Sequence, residues 1–412
     1  MPVRQILLAL AVATTPSLSE VPNWGEWRGP TRDGQIHQGA KAWPATLDEA
    51  NFKKQWSVDL AEGYSSPIVH GSRIFTVETR GKENEIVRAF DRKTGEQLWE
   101  TSWEGSIKVP FYAARNGSWV RSTPACDGEH LYVGGMRDVL VAIDVTNGSV
   151  KWRVDFPQQE QTQKPQFGFV CSPLLGRDHV YVQAGAALRK IRKSDGKTVW
   201  KTLEDERAMF GEAFSSPIRA TIEGRDQIVV QTRMALAGVD PKSGEVIWST
   251  PVKAFRGMNI LTPTSVGNHI FTASYGGGTF WYEITSDNET QSVAERWNDK
   301  LEGNMSSPVV IDGKIYLHGR DKRFHCIDPV AKNVLWSTRE TFGDYWSMVA
   351  NGNRILALDD KGILRLIEAD PKAYKLISEL EVSARPTWAH LAVCGNEVLI
   401  RDLKGLSSYR WE

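Results

Sequence analysis

The chain has 412 residues, 50 of them basic and 50 acidic, so it is formally neutral. That balance gives no electrostatic footprint for nucleic acid or an anionic membrane surface. With 41% hydrophobic and 24% charged residues the composition is globular, which excludes a disordered or collagen-like chain. The 16 tryptophans, 35 glycines and 19 prolines point to many turns and a recurring aromatic position.

Arg4 supplies a basic start, Ile6 to Ala13 is an apolar run, and the small residues Ser17 and Ser19 precede Glu20. This order reads as a signal peptide over residues 1–19. The run is shorter than the roughly 20 apolar residues that span a bilayer, and no later stretch approaches that length. The first cysteine is Cys126, so no lipidation site follows the expected cleavage. The expectation is an exported chain, periplasmic or secreted, without a lipid anchor or transmembrane segment. Residues 20–51 form a leader ahead of the folded body. Cys126, Cys171, Cys326 and Cys394 stand singly, so zinc and redox pairs find no support. They read as buried thiols, with a disulfide as the alternative in an oxidising compartment.

The main feature is an internal repeat, the signature of a ring or array. Ser65-Ser66-Pro67 recurs as Ser122-Thr123-Pro124, Cys171-Ser172-Pro173, Ser215-Ser216-Pro217, Leu261-Thr262-Pro263 and Ser306-Ser307-Pro308. A short apolar strand, a turn and a second strand follow each copy. A third strand then ends in a turn leading to a tryptophan, as in AFDRKTGEQLW at Trp99 and AIDVTNGSVKW at Trp152. Trp200, Trp248 and Trp336 close further copies, and Trp56 and Trp297 end comparable strands. Alternating β-branched and aromatic residues with Asp/Asn/Ser-Gly turns make four-stranded antiparallel meanders. Asp91, Asp144 and Asp240 are placed to bond the backbone of their own turns.

A single such sheet cannot bury both faces, whereas blades in a ring can. Trp56, Trp99, Trp152, Trp200, Trp248, Trp297 and Trp336 are therefore expected to dock each blade on its neighbour. Ser347-Met348-Val349 opens a degenerate seventh copy, and Arg385 to Trp388 precedes an eighth. The last copy lacks an outer strand, which residues near 52–58 would supply. The fold expected is all-β, an eight-bladed propeller over 52–412, with seven blades as the alternative count.

Ser-Ser-Pro, the aromatic in the next strand, and Asp-x-x-Thr/Ser-Gly-x-x-apolar-Trp together resemble the pyrroloquinoline-quinone-like (PQQ-like) repeat, over nearly all of the chain beyond residue 51. That family includes quinoprotein dehydrogenases and BamB-type assembly-factor propellers of Gram-negative outer membranes. The stretch Asn23-Trp24-Gly25-Glu26-Trp27-Arg28-Gly29-Pro30 through Asp33-Gly34 resembles the leader of secreted BamB-like propellers of planctomycete-type bacteria. The resemblance implies either a cofactor-free envelope scaffold or an oxidoreductase using PQQ with calcium. The dehydrogenases hold their quinone with adjacent cysteines, and calcium with Glu and Asn beside a catalytic Asp. No two cysteines are adjacent here, no segment matches the inserted loops, and no catalytic residue carries over. BamB-type members also carry a lipidated cysteine that this sequence lacks.

The loops ahead of each Ser-Ser-Pro should crowd one mouth of the channel. They hold Tyr112, Arg115, Trp119, Arg121, Arg207, Phe210, Glu212, Arg256, Asn259 and Trp346, the candidates for binding a partner or ligand. Aromatic walls with a few converging polar groups suit a peptide edge or a small planar anion. The eight histidines form no metal-binding spacing, and no nucleophile motif is present. The expected function is a non-enzymatic scaffold binding an envelope protein or peptide. The alternatives are a PQQ-dependent oxidoreductase and a carbohydrate- or polyanion-binding module using Trp43, Trp103 and Trp388.

Overall fold

The structure, a computed structural model, describes residues 22–36, 42–205, 213–288 and 290–412, and of Arg115 and Asn116 the backbone alone. Eight sheets, each built on four antiparallel strands and the seventh joined by one short parallel strand, follow one another along the chain as the blades of a propeller. Blades 1 to 7 span residues 68–104, 125–155, 174–202, 218–251, 264–299, 309–337 and 346–381. Blade 8 takes three strands from residues 392–411, and its outermost strand is Phe52–Asp59, paired from Phe52 with Trp411 to Asp59 with Gly405. The ring has eight blades, and a strand from the front of the chain closes it.

Burial explains why these segments pair as they do. The third strand of blade 2, Val139–Asp144, is buried on both faces, whereas the outermost strand of blade 1, Gln97–Glu104, alternates. Side chains of adjoining blades share one core, as Tyr132 and Leu140 do with Val180 and Val182. Because each strand reverses direction, the Ser-Ser-Pro segments share one face with the turns between second and third strands. The Asp-x-x-x-Gly turns lie on the opposite face.

The repeated tryptophans hold one register. Trp99, Trp152, Trp200, Trp248, Trp297 and Trp336 stand opposite Ala89, Ala142, Lys190, Gly238, Trp281 and Cys326 of their own blades. The indole N–H of Trp56, Trp99, Trp152 and Trp336 donates to Arg92, Val145, Lys193 and Asp370 in the next blade, at 2.6 to 3.1 Å. In the first three of these, and at Trp200, the ring lies on a turn glycine. A Cβ on Gly95, Gly148, Gly196 or Gly244 would stand 2.7 Å from Trp56, Trp99, Trp152 or Trp200. The same glycines have φ between 73° and 81°, so the turn and the close approach both require glycine. Asp91, Asp144 and Asp240 accept bonds from backbone N–H groups two residues on, which fixes these turns.

The Ser-Ser-Pro motif has its own physical reason. The second hydroxyl accepts from the backbone of a neighbouring blade: Ser66 N–H to Thr123, Thr123 N–H to Ser172, Ser172 N–H to Ser216, and Thr262 N–H to Ser307. His390 N–H closes the belt onto Ser66. The first hydroxyl of Ser122 and of Ser215 donates to the carbonyls of Cys171 and Leu261. Proline then opens the innermost strand, an edge where a donor would have no sheet partner. In blade 7 the equivalent pair is Trp346-Ser347, one residue earlier than the sequence pattern suggests: Trp346 N–H bonds Ser306, and Ser347 receives Leu391 N–H.

Inner strand edges would leave backbone groups unpaired around the channel. The leader fills that space. Trp24 exchanges backbone bonds with Val69, Gly25 accepts from Cys126, and Gln35–Ile36 pairs parallel to Ala350–Asn351 of blade 7. Arg28 donates to the carbonyls of Pro308, Asp33 and Arg32; Arg32 donates to Pro173, Ser172 and Glu26. Both arginines are 1% exposed, and burial pushes Arg28 down to about 10. Trp27 donates to Thr262 of blade 5. The leader is thus a channel plug bonded to most of the ring.

Candidate interaction face

With the leader in the channel, the open surface is the face carrying the Ser-Ser-Pro loops. Aromatic rings run along it in contact. Tyr345 stacks on Trp388 at 5.7 Å, Trp388 lies 5.9 Å from Tyr64, and Tyr64 meets Trp119 edge-on at 5.5 Å. A second run links Phe111, Tyr112, Phe167 and Phe214 at 5.6 to 6.3 Å. A third places Phe255 against Tyr275, with Arg256 over Phe255 and Arg320 over Tyr275. Phe111 is 90% exposed, Tyr112 57% and Phe255 50%. Large apolar rings held in water at loop tips need a reason, and a partner surface is the usual one.

The candidates from the sequence divide. Trp119 walls a cleft of about 450 Å³ with Tyr64, Trp388, Asp344, Asp360 and Arg385. Arg121 donates to the Gly117 carbonyl at 2.8 Å and lies over the Tyr64 ring at 5.6 Å. Tyr112 and Arg256 stand at the exposed rim. Asn259 does not face the mouth: it is 1% exposed and its amide donates to the Thr232 and Arg233 carbonyls, pinning a loop. Trp346 is fully buried among His318, Phe324 and Phe342, so it belongs to the core between blades 6 and 7. Trp43 is likewise buried, against Trp411, and Trp103 bonds the Glu85 carboxylate at 2.7 Å. The side chain of Arg115, and all of Arg207, Phe210 and Glu212, lie outside the described residues.

Sequence reasoning missed Tyr64, Phe167, Phe214 and Tyr275. Tyr64 and Phe214 share a signal that was present: both directly precede a Ser-Ser-Pro, the position that rings the mouth. Two buried carboxyls at the mouth ends of blade interfaces were also missed. Glu85 accepts from Trp103 and from Met136 N–H in blade 2, and Asp138 accepts from Gly185 N–H in blade 3. Desolvation raises each to about 7.

PQQ with calcium does not fit the described residues. All four cysteines are buried, free and singly placed. Among the described residues no three His, Cys, Asp or Glu side chains gather as a metal-binding group. The channel axis is filled by Arg28 and Arg32. Nor is any helix among the described residues long and apolar enough to cross a membrane.

These features define an eight-bladed propeller of PQQ-like repeats, plugged by its own leader and open at an aromatic mouth. The family model described as outer membrane protein assembly factor BamB matches residues 82–338, more than half of the chain. The chain belongs to that family. BamB of Yersinia pestis is 22% identical over 376 residues, covering 88% of this chain and 89% of the relative. In fold the chain is similar to crystalline BamB of Moraxella catarrhalis, with a TM-score of 0.64 at 15% identity, covering 88% of this chain and 98% of that one. It is also similar to quinohemoprotein alcohol dehydrogenase of Comamonas testosteroni, with a TM-score of 0.61 at 14% identity, covering 94% and 80%. At such identities both structures speak to the fold alone.

Proposed function

We propose that this protein is an exported scaffold of the cell envelope that holds an extended polypeptide across its aromatic mouth without chemistry of its own. The observation that carries the reading is the rim of rings ending in exposed Phe111, Tyr112 and Phe255. Aromatic side chains supply large contact area at low entropic cost, and arginines stacked on them add polar contacts at the edge. Membership in a family described as outer membrane protein assembly factor supports a protein client. The test is fluorescence anisotropy with a labelled outer-membrane β-barrel polypeptide diluted from urea. Saturable binding is expected, weakened at least tenfold by Phe111→Ser with Phe255→Ser and unchanged by Val330→Ser on the opposite face. Absence of saturable binding overturns the reading. Export is tested separately by fusing residues 1–19 to alkaline phosphatase, which is active only outside the cytoplasm.

A further inference from the structure

The mouth carries a second concavity, of about 220 Å³, between blades 2, 3 and 4. Its chemistry is set by Asp138, which is 5% exposed. One carboxyl oxygen, Oδ2, accepts from Gly185 N–H at 2.8 Å. The other, Oδ1, receives no donor from the described residues. The Gln183 amide, also lining the cavity, spends its N–H groups on the Ser215 and Gln231 carbonyls, which leaves its oxygen as a further acceptor. Among the described residues the cations nearby are already paired: Arg189 with Glu160, Arg233 with Asp205, and Lys201 with Glu204. Phe169, Val170, Leu203 and Met234 make the apolar part of the wall, and Gln163, Glu204, Asp205, Thr232 and Arg233 the polar part. A buried carboxylate short of a donor, with apolar side chains on part of the wall, is complementary to a methylene stem with a charged head.

We infer that this cavity receives a lysine side chain of the bound polypeptide, its ammonium on Asp138 Oδ1. The inference rests on the protein-binding reading and names a side chain by which the client is gripped. Among the described residues, the charged and titratable groups around Asp138 are Arg189 and Glu160, Asp155, the Cys171 thiol, and Glu204, Asp205 and Arg233 at the rim. The carboxyl titrates near 7 in the free protein, so a cation binds well above that pH and competes with a proton below it.

The experiment uses N-acetyl-lysinamide as probe, with N-acetyl-norleucinamide as its uncharged counterpart, each titrated into the whole protein and followed by NMR. Expected at pH 8 is saturable binding of the lysine probe, at least tenfold tighter than the norleucine one. Affinity should fall at least tenfold at pH 5.5, and at least tenfold in Asp138→Asn at pH 8. No binding, equal binding of the two probes, or an unaltered affinity in Asp138→Asn overturns the inference. Should that variant fail to fold, the pH series on the wild type decides alone, and a flat series overturns it. Because the probe needs no client, loss of client binding with probe binding intact marks failure of the scaffold reading instead.

Discussion

The interface between blades 2 and 3 and that between blades 4 and 5 solve one packing problem in two ways. At the first, the Trp152 indole lies on Gly196 and donates across to the Lys193 carbonyl. At the second, Trp248 holds the same register in its blade, opposite Gly238, yet donates to Gln227 of that same blade at 2.6 Å. The cause lies in the neighbour. Blade 5 has no short Asp-x-x-x-Gly turn; its outer strands Gly278–Asp287 and Thr290–Asp299 form a long hairpin that lies beside the outermost strand of blade 4. Gln291 on that hairpin accepts from Gln227 and donates to the Ile222 carbonyl. A tryptophan's place is therefore set by its own sheet, while its partner is set by the next blade.

The largest effect should come from Trp152→Ala, which opens the regular interface and should cost about 3–5 kcal/mol in urea unfolding. A loss under about 1 kcal/mol would mean that the indole decorates the interface and does not hold it.

The regular interfaces also carry the buried carboxyls Glu85 and Asp138, and these oppose two buried histidines. His318 and His390 are pushed down to about 3 by burial, so their contribution to stability is lost as pH falls below their unfolded value near 6.5. Glu85 and Asp138, raised to about 7, bind protons first in the folded state and add stability as pH falls over the same range. Between pH 6.5 and 4.5 the two pairs should nearly cancel. Glu85→Gln with Asp138→Asn should expose the histidine slope, a loss on the order of 2–4 kcal/mol across that window. Parallel pH profiles for variant and wild type would contradict the assignment.

At the irregular interface, Gln227→Leu strands the Trp248 N–H and the Gln291 oxygen, at a cost of about 1–3 kcal/mol. A double-mutant cycle with Gln291→Leu should show coupling, and strict additivity would show that the clasp carries no energy. The smallest effect should be Thr123→Val, about 1 kcal/mol for the hydroxyl that receives Ser66 N–H. Thr262→Val should match it in size while releasing Trp27, seen as a change in tryptophan fluorescence.

The ring was legible because its determinants are local and recur: a Ser-Ser-Pro edge, a Gly turn and a Trp at fixed spacing. Where a copy decays the pattern slips, as at blade 7, where a bulky Trp346 occupies the slot of a serine and so looks like a loop residue. The mouth was legible in kind but less so in membership. Asn259 and Trp119 both sit in long loops, and only three-dimensional packing shows that one pins backbone while the other walls a cleft. The leader motif was visible, but its destination was not. Arg28 and Arg32 bond main-chain carbonyls, and a carbonyl leaves no mark in a sequence.

The strand that closes the ring also governs how the ring can be made. Trp411 bonds the Thr46 carbonyl across 365 residues, and Arg28 reaches Pro308 across 280. Contacts of such separation form only after a large loss of chain entropy, which slows folding. The strand Phe52–Asp59 must wait for its sheet partner until the final blade has emerged, and Phe52 lacks Tyr409 and Trp411 meanwhile. An escort that shields this segment during synthesis would act on the rate of folding and leave the final stability unchanged.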